Sequence, residues 1–297
     1  MTERVARAVA AAVAVARAHG VRVTDPVLLN DGANAVVHLR PAPVVARVAT
    51  TTSLLRPDID RPFRREVELA TALTTAGAAV VPPSDLLPPG PHRHDGLTLS
   101  FWRHLDVLPE RPTARETGRA LGELHAVLAG VPPLWGGSAL DTPLDDLARF
   151  AERGTELGAH PQDVERTAAL TATLRPLLGG TVRTLHGDPH PGNLLHTAQG
   201  LCWVDLEDSC RGPRGWDLAC LRTTTRLDGR AAVDALPEPM SEQELAPFVW
   251  LRRLHVAAWW SVHATRVPAD RPEAVQRLTA AVADVSAGLA GRRPGRG

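Results

Sequence analysis

The chain has 297 residues, enough for one large domain or two smaller ones sharing a cleft. Apolar residues make up 44%, which supports a packed core and excludes wholesale disorder. Lys+Arg and Asp+Glu both number 33, so no net field recruits nucleic acid or an anionic membrane.

Lysine and tyrosine are absent, so every strong base is an arginine. Arg4 and Arg7 precede the Ala/Val-rich run 8–16, which superficially looks like a secretion leader. That run lacks leucine, and Val5, Val9 and Val13 recur every four residues. A short amphipathic helix ending near Gly20 is the better reading. No stretch approaches the ~20 apolar residues of a membrane span. Cys202, Cys210 and Cys220 match no zinc or redox spacing and read as free thiols in a reducing, cytoplasmic compartment.

Short β-type runs follow. Strands are expected at Pro26–Asn30, Ala35–Leu39 and Val44–Val48, with Asp31-Gly32-Ala33-Asn34 as the first turn. Pro62–Ala76 reads as a helix with Val67, Ala70 and Leu73 on one face and Gly77 just past its end. Strands near Val80 and over Leu97–Phe101 complete a small antiparallel sheet. From about Pro112 the texture becomes helical, at 113–128, 144–157 and 161–178. A β-rich island spans 182–204, helices resume at Gly215, and the basic Gly/Pro-rich tail 291–297 reads as disordered.

The island carries the chemistry. Leu185-His186-Gly187-Asp188-Pro189-His190-Pro191-Gly192-Asn193 holds an Asp and, five positions on, an Asn. Twelve residues later comes Asp205, in Trp203-Val204-Asp205-Leu206-Glu207. Phosphoryl transfer needs such a set: a carboxylate to orient the attacking hydroxyl and take its proton, and hard oxygens to hold Mg²⁺ against phosphates.

This composite resembles the catalytic and metal-binding loops of the aminoglycoside phosphotransferase family and its kinase-like relatives. Gly215-Trp216-Asp217-Leu218-Ala219 is similar to a further segment of that family, and the likeness runs in order from about residue 25 to 225. The resemblance implies an α+β, bilobal, protein-kinase-like fold. A small N-terminal antiparallel sheet lobe, 1–103, would bind the nucleotide. A larger, mainly helical C-terminal lobe, 104–290, would carry catalysis and the acceptor. It further implies ATP and Mg²⁺ as cofactors, with Asp188 as catalytic base and Asn193 and Asp205 as magnesium ligands. His186 and Asp217 would support the loop, Asp217 by capping its helix. Gly32, Ala33 and Asn34 would cover the ATP phosphates. Arg47 falls where relatives place a phosphate-gripping lysine, and Glu66, with Glu68 as a rival, where its partner carboxylate stands. Ser100 to His104, including Trp102, would be the adenine hinge.

The expected activity is transfer of the γ-phosphoryl group to a small-molecule alcohol, with no nucleic-acid or membrane partner. Two other readings stay open: a catalytically silent nucleotide-binding regulator, suggested by Arg47 in place of lysine, and a metallophosphoesterase, suggested by Gly187-Asp188-Pro189-His190. Asp208, Glu242 and Glu244 are candidate carboxylates for a cationic acceptor. Trp259 and Trp260 read as core residues rather than as a substrate platform.

Overall fold

A computed structural model describes residues 2–238 and 240–292. Helix α1 (Glu3–Ala18) starts with the Thr2 hydroxyl accepting from the Val5 amide. Its buried face is built largely from small residues, Ala8, Ala11, Ala12 and Ala16 with Val5 and Val15, while Val9 and Val13 flank it half-buried. That face lies on a five-stranded antiparallel sheet of order β1-β2-β3-β5-β4. The strands are β1 (Val23–Asp31), β2 (Asn34–Pro41), β3 (Val44–Ala49), β4 (His92–His94) and β5 (Leu97–Arg103).

The period of two decides what each sheet face does. Ala35, Val37, Leu39, Val44, Ala46 and Val48 turn to α1 and form one apolar cluster with it. Val36, Val45 and Arg47 turn the other way, into a crevice. In that register Arg47 stands between Val36 on β2 and Ser100 on β5.

Helix α2 (Asp60–Thr75) follows β3 and ends as expected before Gly77, whose φ of 79° suits glycine. Its Val67, Leu69, Ala70 and Leu73 join the core of the helical lobe, not the α1–sheet cluster. Each buried leucine contributes about 2 kcal/mol, so α2 is fastened chiefly to the larger lobe. The strand expected near Val80 is reduced to isolated bridges, Val80 with Trp203 and Pro83 with Trp102, because Pro82 and Pro83 lack the N–H groups a continuous ladder needs. β4 was not expected; it pairs with β5 across Asp95-Gly96.

The second lobe contains α3 (Ala114–Gly130), α4 (Asp141–Arg153), α5 (Pro161–Leu174), α6 (Gly215–Arg222), α7 (Gly229–Asp234), α8 (Glu242–Arg266) and α9 (Arg271–Gly291). Between them lie two hairpin-like pairs: β6 (Val182–Thr184) with β9 (Arg211–Pro213), and β7 (Leu194–Thr197) with β8 (Gly200–Trp203). Helix α4 ends before the expected Leu157, and α5 passes at Arg175 into a 3-10 turn. Gly291, expected to open a disordered tail, closes α9; residues 293–297 lie outside the described residues.

A buried ion pair ties the two lobes. Arg56, from the segment before α2, donates to both oxygens of Asp146 on α4 at 2.9 and 2.7 Å. Asp146 also accepts from the indole N–H of Trp259 at 3.0 Å and lies 2.9 Å from Nε2 of His255. Burial alone would raise the Asp146 carboxyl, but Arg56 and then His255 outweigh it and hold it well below the usual carboxylate range. A carboxylate held down in the fold stabilises fully above about pH 4, and that contribution drains away as pH falls. Asp146→Asn should therefore cost about 3 kcal/mol at neutral pH, because Arg56 loses its bidentate partner and keeps only Asp208 close by. Its melting temperature should also fall less steeply than the parent's between about pH 5 and pH 3. Thermal melts across that range check both; an unchanged acid slope would assign the pH dependence elsewhere.

Candidate active site

The loop after β6 is held by its backbone. Asp217 on α6 accepts from the amides of His186 at 3.0 Å and Gly187 at 2.9 Å, and its Oδ2 lies 2.8 Å from His125 Nε2. Both oxygens are used on the loop and His125, so Asp217 braces the loop and does not cap its own helix, as the sequence had suggested. The Gly187 carbonyl accepts from the Trp216 indole at 2.7 Å. Gly187 has a φ of 93°, and a Cβ there would stand 2.0 Å from the Asp208 carbonyl oxygen. Only glycine fits that approach. His186 is fully buried; its Nδ1 accepts from the Asp188 amide at 3.3 Å, its ring meets Trp203 edge-on, and burial lowers its pKa.

That bracing brings the predicted oxygen set together. The Asn193 side-chain amide donates to the Asp188 carbonyl at 2.9 Å, and the Asn193 carbonyl accepts from Val204 N at 2.9 Å, which places Asp205 alongside. Asp205 takes a left-handed backbone, φ 65° and ψ 57°. For a non-glycine residue that is a strained conformation kept by its surroundings. Among the described residues no three His, Cys, Asp or Glu side chains gather to hold a metal ion unaided.

The surroundings are an arginine and three carboxylates. Arg47 reaches Glu66 and Asp205 at 2.5 Å each and Glu207 at 2.8 Å. Glu66 in turn accepts from Leu206 N at 3.1 Å, while Glu68 is exposed. One guanidinium cannot neutralise three carboxylates, of which Glu66 and Glu207 are buried and Asp205 half-buried. Burial pushes Glu66 up to about 8 and Glu207 up to about 7, and lifts Asp205 as well, against the pull of Arg47.

A crevice of about 610 Å³ opens between the sheet and β7–β8. Val36, Val45, Trp102, Leu195 and Trp203 give it apolar walls, and Arg47, Asn193 and Asp205 stand at its polar end. Trp102 to Val107 form its connecting edge, so the linker lies slightly beyond the expected Ser100–His104. Ser100 is buried outside the lining and accepts from the Trp102 indole at 2.9 Å. Gly32, Ala33 and Asn34 form the β1–β2 turn but do not line this crevice. The Ala33 carbonyl is bound by Thr51 N, and Asn34 donates to Glu207 at 3.1 Å, so the turn is tied down over the carboxylates.

A second cavity, about 570 Å³, lies on the other side of Asp205, which lines both. Asp188 is in its wall. The sequence reading did not single out Arg252, which shapes it most. Arg252 on α8 donates to Asp188 Oδ1 at 2.5 Å. Burial would raise Asp188, but Arg252 and after it His190 outweigh that and hold it below the usual range. Arg252, His255, Val256, Trp259, Trp260 and His263 all face the cavity, a stripe at helical spacing that could have revealed it. Trp259 and Trp260 are half-buried and line this cavity, so they are not simple core. Of the acidic candidates, Asp208 is held by Arg56, Glu242 faces Arg222 and Arg230, and Glu244 closes the N-terminal capping box of α8 with Ser241. None is a free counter-ion for a cation.

Residues 33–237 match the sequence profile of the phosphotransferase enzyme family. The chain belongs to that family. Solved structures share the fold of this family member. A microcompartment-associated aminopropanol kinase matches at 20% identity and TM-score 0.66, over 93% of this chain and 96% of its own. The amicoumacin kinase hAmiN, in complex with AMP-PNP, Ca²⁺ and Ami, matches at 13% and 0.67, over 96% of each. The choline kinase LicA from Streptococcus pneumoniae matches at 16% and 0.60, over 93% and 99%. No curated protein sequence matches. The fold is thus the bilobal, protein-kinase-like one, and no helix among the described residues is long and apolar enough to cross a membrane.

In this phosphotransferase-family chain Asp217 is the brace whose removal is most legible. Asp217→Ala leaves two buried amides without an acceptor and should cost about 3 kcal/mol or more. Urea denaturation measures it; a loss under about 1 kcal/mol would mean the loop is held by its other contacts.

Proposed function

We propose that the protein is an ATP- and Mg²⁺-dependent phosphotransferase that moves the γ-phosphoryl group to a hydroxyl of a small molecule. The observation that carries this is the position of Asp205, in the wall of both the crevice and the second cavity, with Asp188 opening only onto the latter. The crevice suits a nucleotide: apolar walls for a base, a backbone edge at 102–107, and cationic and oxygen groups at the far end. The similar hAmiN structure is a complex with AMP-PNP and Ca²⁺, and two others of this fold are complexes with GDP.

The residues fit magnesium. The amide of Asn193 is spent on the Asp188 carbonyl, which turns its side-chain oxygen away, and one carboxylate oxygen of Asp205 has no hydrogen bond among the described residues. Two hard oxygens plus phosphate oxygens make an ordinary magnesium set. The ion, when bound, would offset charge on the phosphates.

Asp188 orients the acceptor hydroxyl and takes its proton as the oxygen forms its new bond to phosphorus. The bond from phosphorus to the ADP oxygen breaks, and ADP keeps that electron pair. Arg252 holds Asp188 in place and keeps it ionised. Arg47 aims Asp205 and stands ready to share its guanidinium with phosphate oxygens. A catalytically silent module gains no support, since Asp188, Asn193 and Asp205 are all present and gathered. The activity goes with a cytoplasmic location, where ATP is supplied.

Asp188→Asn should lower kcat by about a hundredfold or more while ATP still binds. A coupled ADP-release assay over an acceptor panel, with a thermal shift for ATP binding, reads both. Normal turnover by the variant would refute the role of Asp188. Arg47→Lys should weaken nucleotide binding and lower the melting temperature, because one ammonium cannot serve three carboxylates at once. Titration calorimetry with an ATP analogue and thermal melts check this; parent-like values would show that Arg47 is dispensable.

A further inference from the structure

The charge pairing of the second cavity restricts what can enter it. Its four carboxylates are all engaged: Asp188 by Arg252, Asp205 and Glu207 by Arg47, and Asp208 by Arg56, at distances of 2.5 to 2.8 Å. An ammonium-bearing acceptor would have to compete with a guanidinium for every one of them. Aromatic faces could serve a cation instead, but these are covered too. The guanidinium of Arg56 lies 5.1 Å over Trp259, and that of Arg277 lies 4.2 Å over Trp260. Stacked guanidinium already takes the cation–π attraction that a quaternary ammonium would need.

The arginines of the cavity wall are unequally occupied. Arg56 and Arg252 are spent on carboxylates, and Arg277 on Glu273 at 2.6 Å. Arg226, in the loop between α6 and α7, is exposed at the cavity wall and makes no ion pair among the described residues. Its guanidinium lies against the catalytic loop: a Cβ on Gly192 would be 3.2 Å from the Arg226 Cζ. Thr225, beside it, adds a hydroxyl to the same wall. A planar, unpaired guanidinium next to the transfer site is a bidentate receptor for a carboxylate or phosphate.

Resting on the phosphotransferase reading above, we propose that the acceptor is an alcohol carrying an anionic group, and that Arg226 holds that group while Asp188 meets the hydroxyl. The transfer itself is unchanged: the acceptor oxygen bonds to phosphorus, ADP leaves with the electron pair, and the proton passes to Asp188. Amino alcohols and polycationic antibiotics are poorer substrates because each would bring a cation that competes with an arginine for every carboxylate of the cavity.

The test is a coupled ADP-release assay on the full chain with ATP and Mg²⁺, in four arms. One arm holds hydroxy acids such as glycerate, one sugar phosphates such as ribose 5-phosphate, one neutral polyols such as glycerol, and one the amines choline and kanamycin. The highest kcat/KM should fall in one of the two anionic arms, and which arm identifies carboxylate or phosphate. For that acceptor Arg226→Gln should raise KM about tenfold or more with kcat little changed, and Arg226→Lys should recover much of the loss. Best turnover in the neutral or amine arm overturns the proposal and leaves the phosphotransferase reading standing. So does an Arg226→Gln variant that loses kcat alike with every acceptor, since the residue would then serve the transferred phosphoryl group. No turnover in any arm, together with no thermal shift from ATP, overturns both.

Discussion

One guanidinium organises the centre of this molecule. Arg47 sits on β3, yet its three carboxylate partners come from α2 and from the segment after β8. A strand, a helix and a loop are thereby fixed to a single planar group. The cost falls on Glu66 and Glu207, which burial first and the neighbouring carboxylates second lift towards neutrality.

The same economy of structure holds the catalytic loop. Its positions are set by main-chain bonds to Asp217, Trp216 and Asn193, so the side chain of Asp188 is left for the cavity. Arg252 then approaches from a different helix. Placing the loop and charging its carboxylate are thus separate jobs, done by different elements. The lobes are joined in a similar way, by Arg56 reaching Asp146 and Asp208 from the far side of the cleft.

Much of this was legible in the chain itself. Alternation over Ala35–Leu39 and Val44–Val48 marked the sheet, and the same period put Arg47 on the crevice face. The spacing of Asp188, Asn193 and Asp205 marked the site because those residues lie close in sequence. What escaped depends on distant pairing. Arg252 meets Asp188 across 64 positions and Arg56 meets Asp146 across 90, and no local period encodes such contacts. Of the acidic acceptor candidates, Asp208 is paired with the distant Arg56, whereas Glu244 is taken locally by Ser241. Asp208 looked free only while Arg56 was unseen. β4 is three residues long, too short for any alternation, though the Asp95-Gly96 turn beside it was a usable hairpin signal. Asp217 was expected to cap its helix and steady the loop; it steadies the loop directly, its carboxylate turned outward to the His186 and Gly187 amides.

The close approach at Gly187 has a further effect. Residues 205–209 are stapled three times: Leu206 N to Glu66, the Ser209 hydroxyl to the His186 carbonyl, and the Asp208 backbone against Gly187 itself. Swinging that segment aside would have to undo every staple together. Displacing it is therefore expensive, and this part of the fold is held in one assembled arrangement.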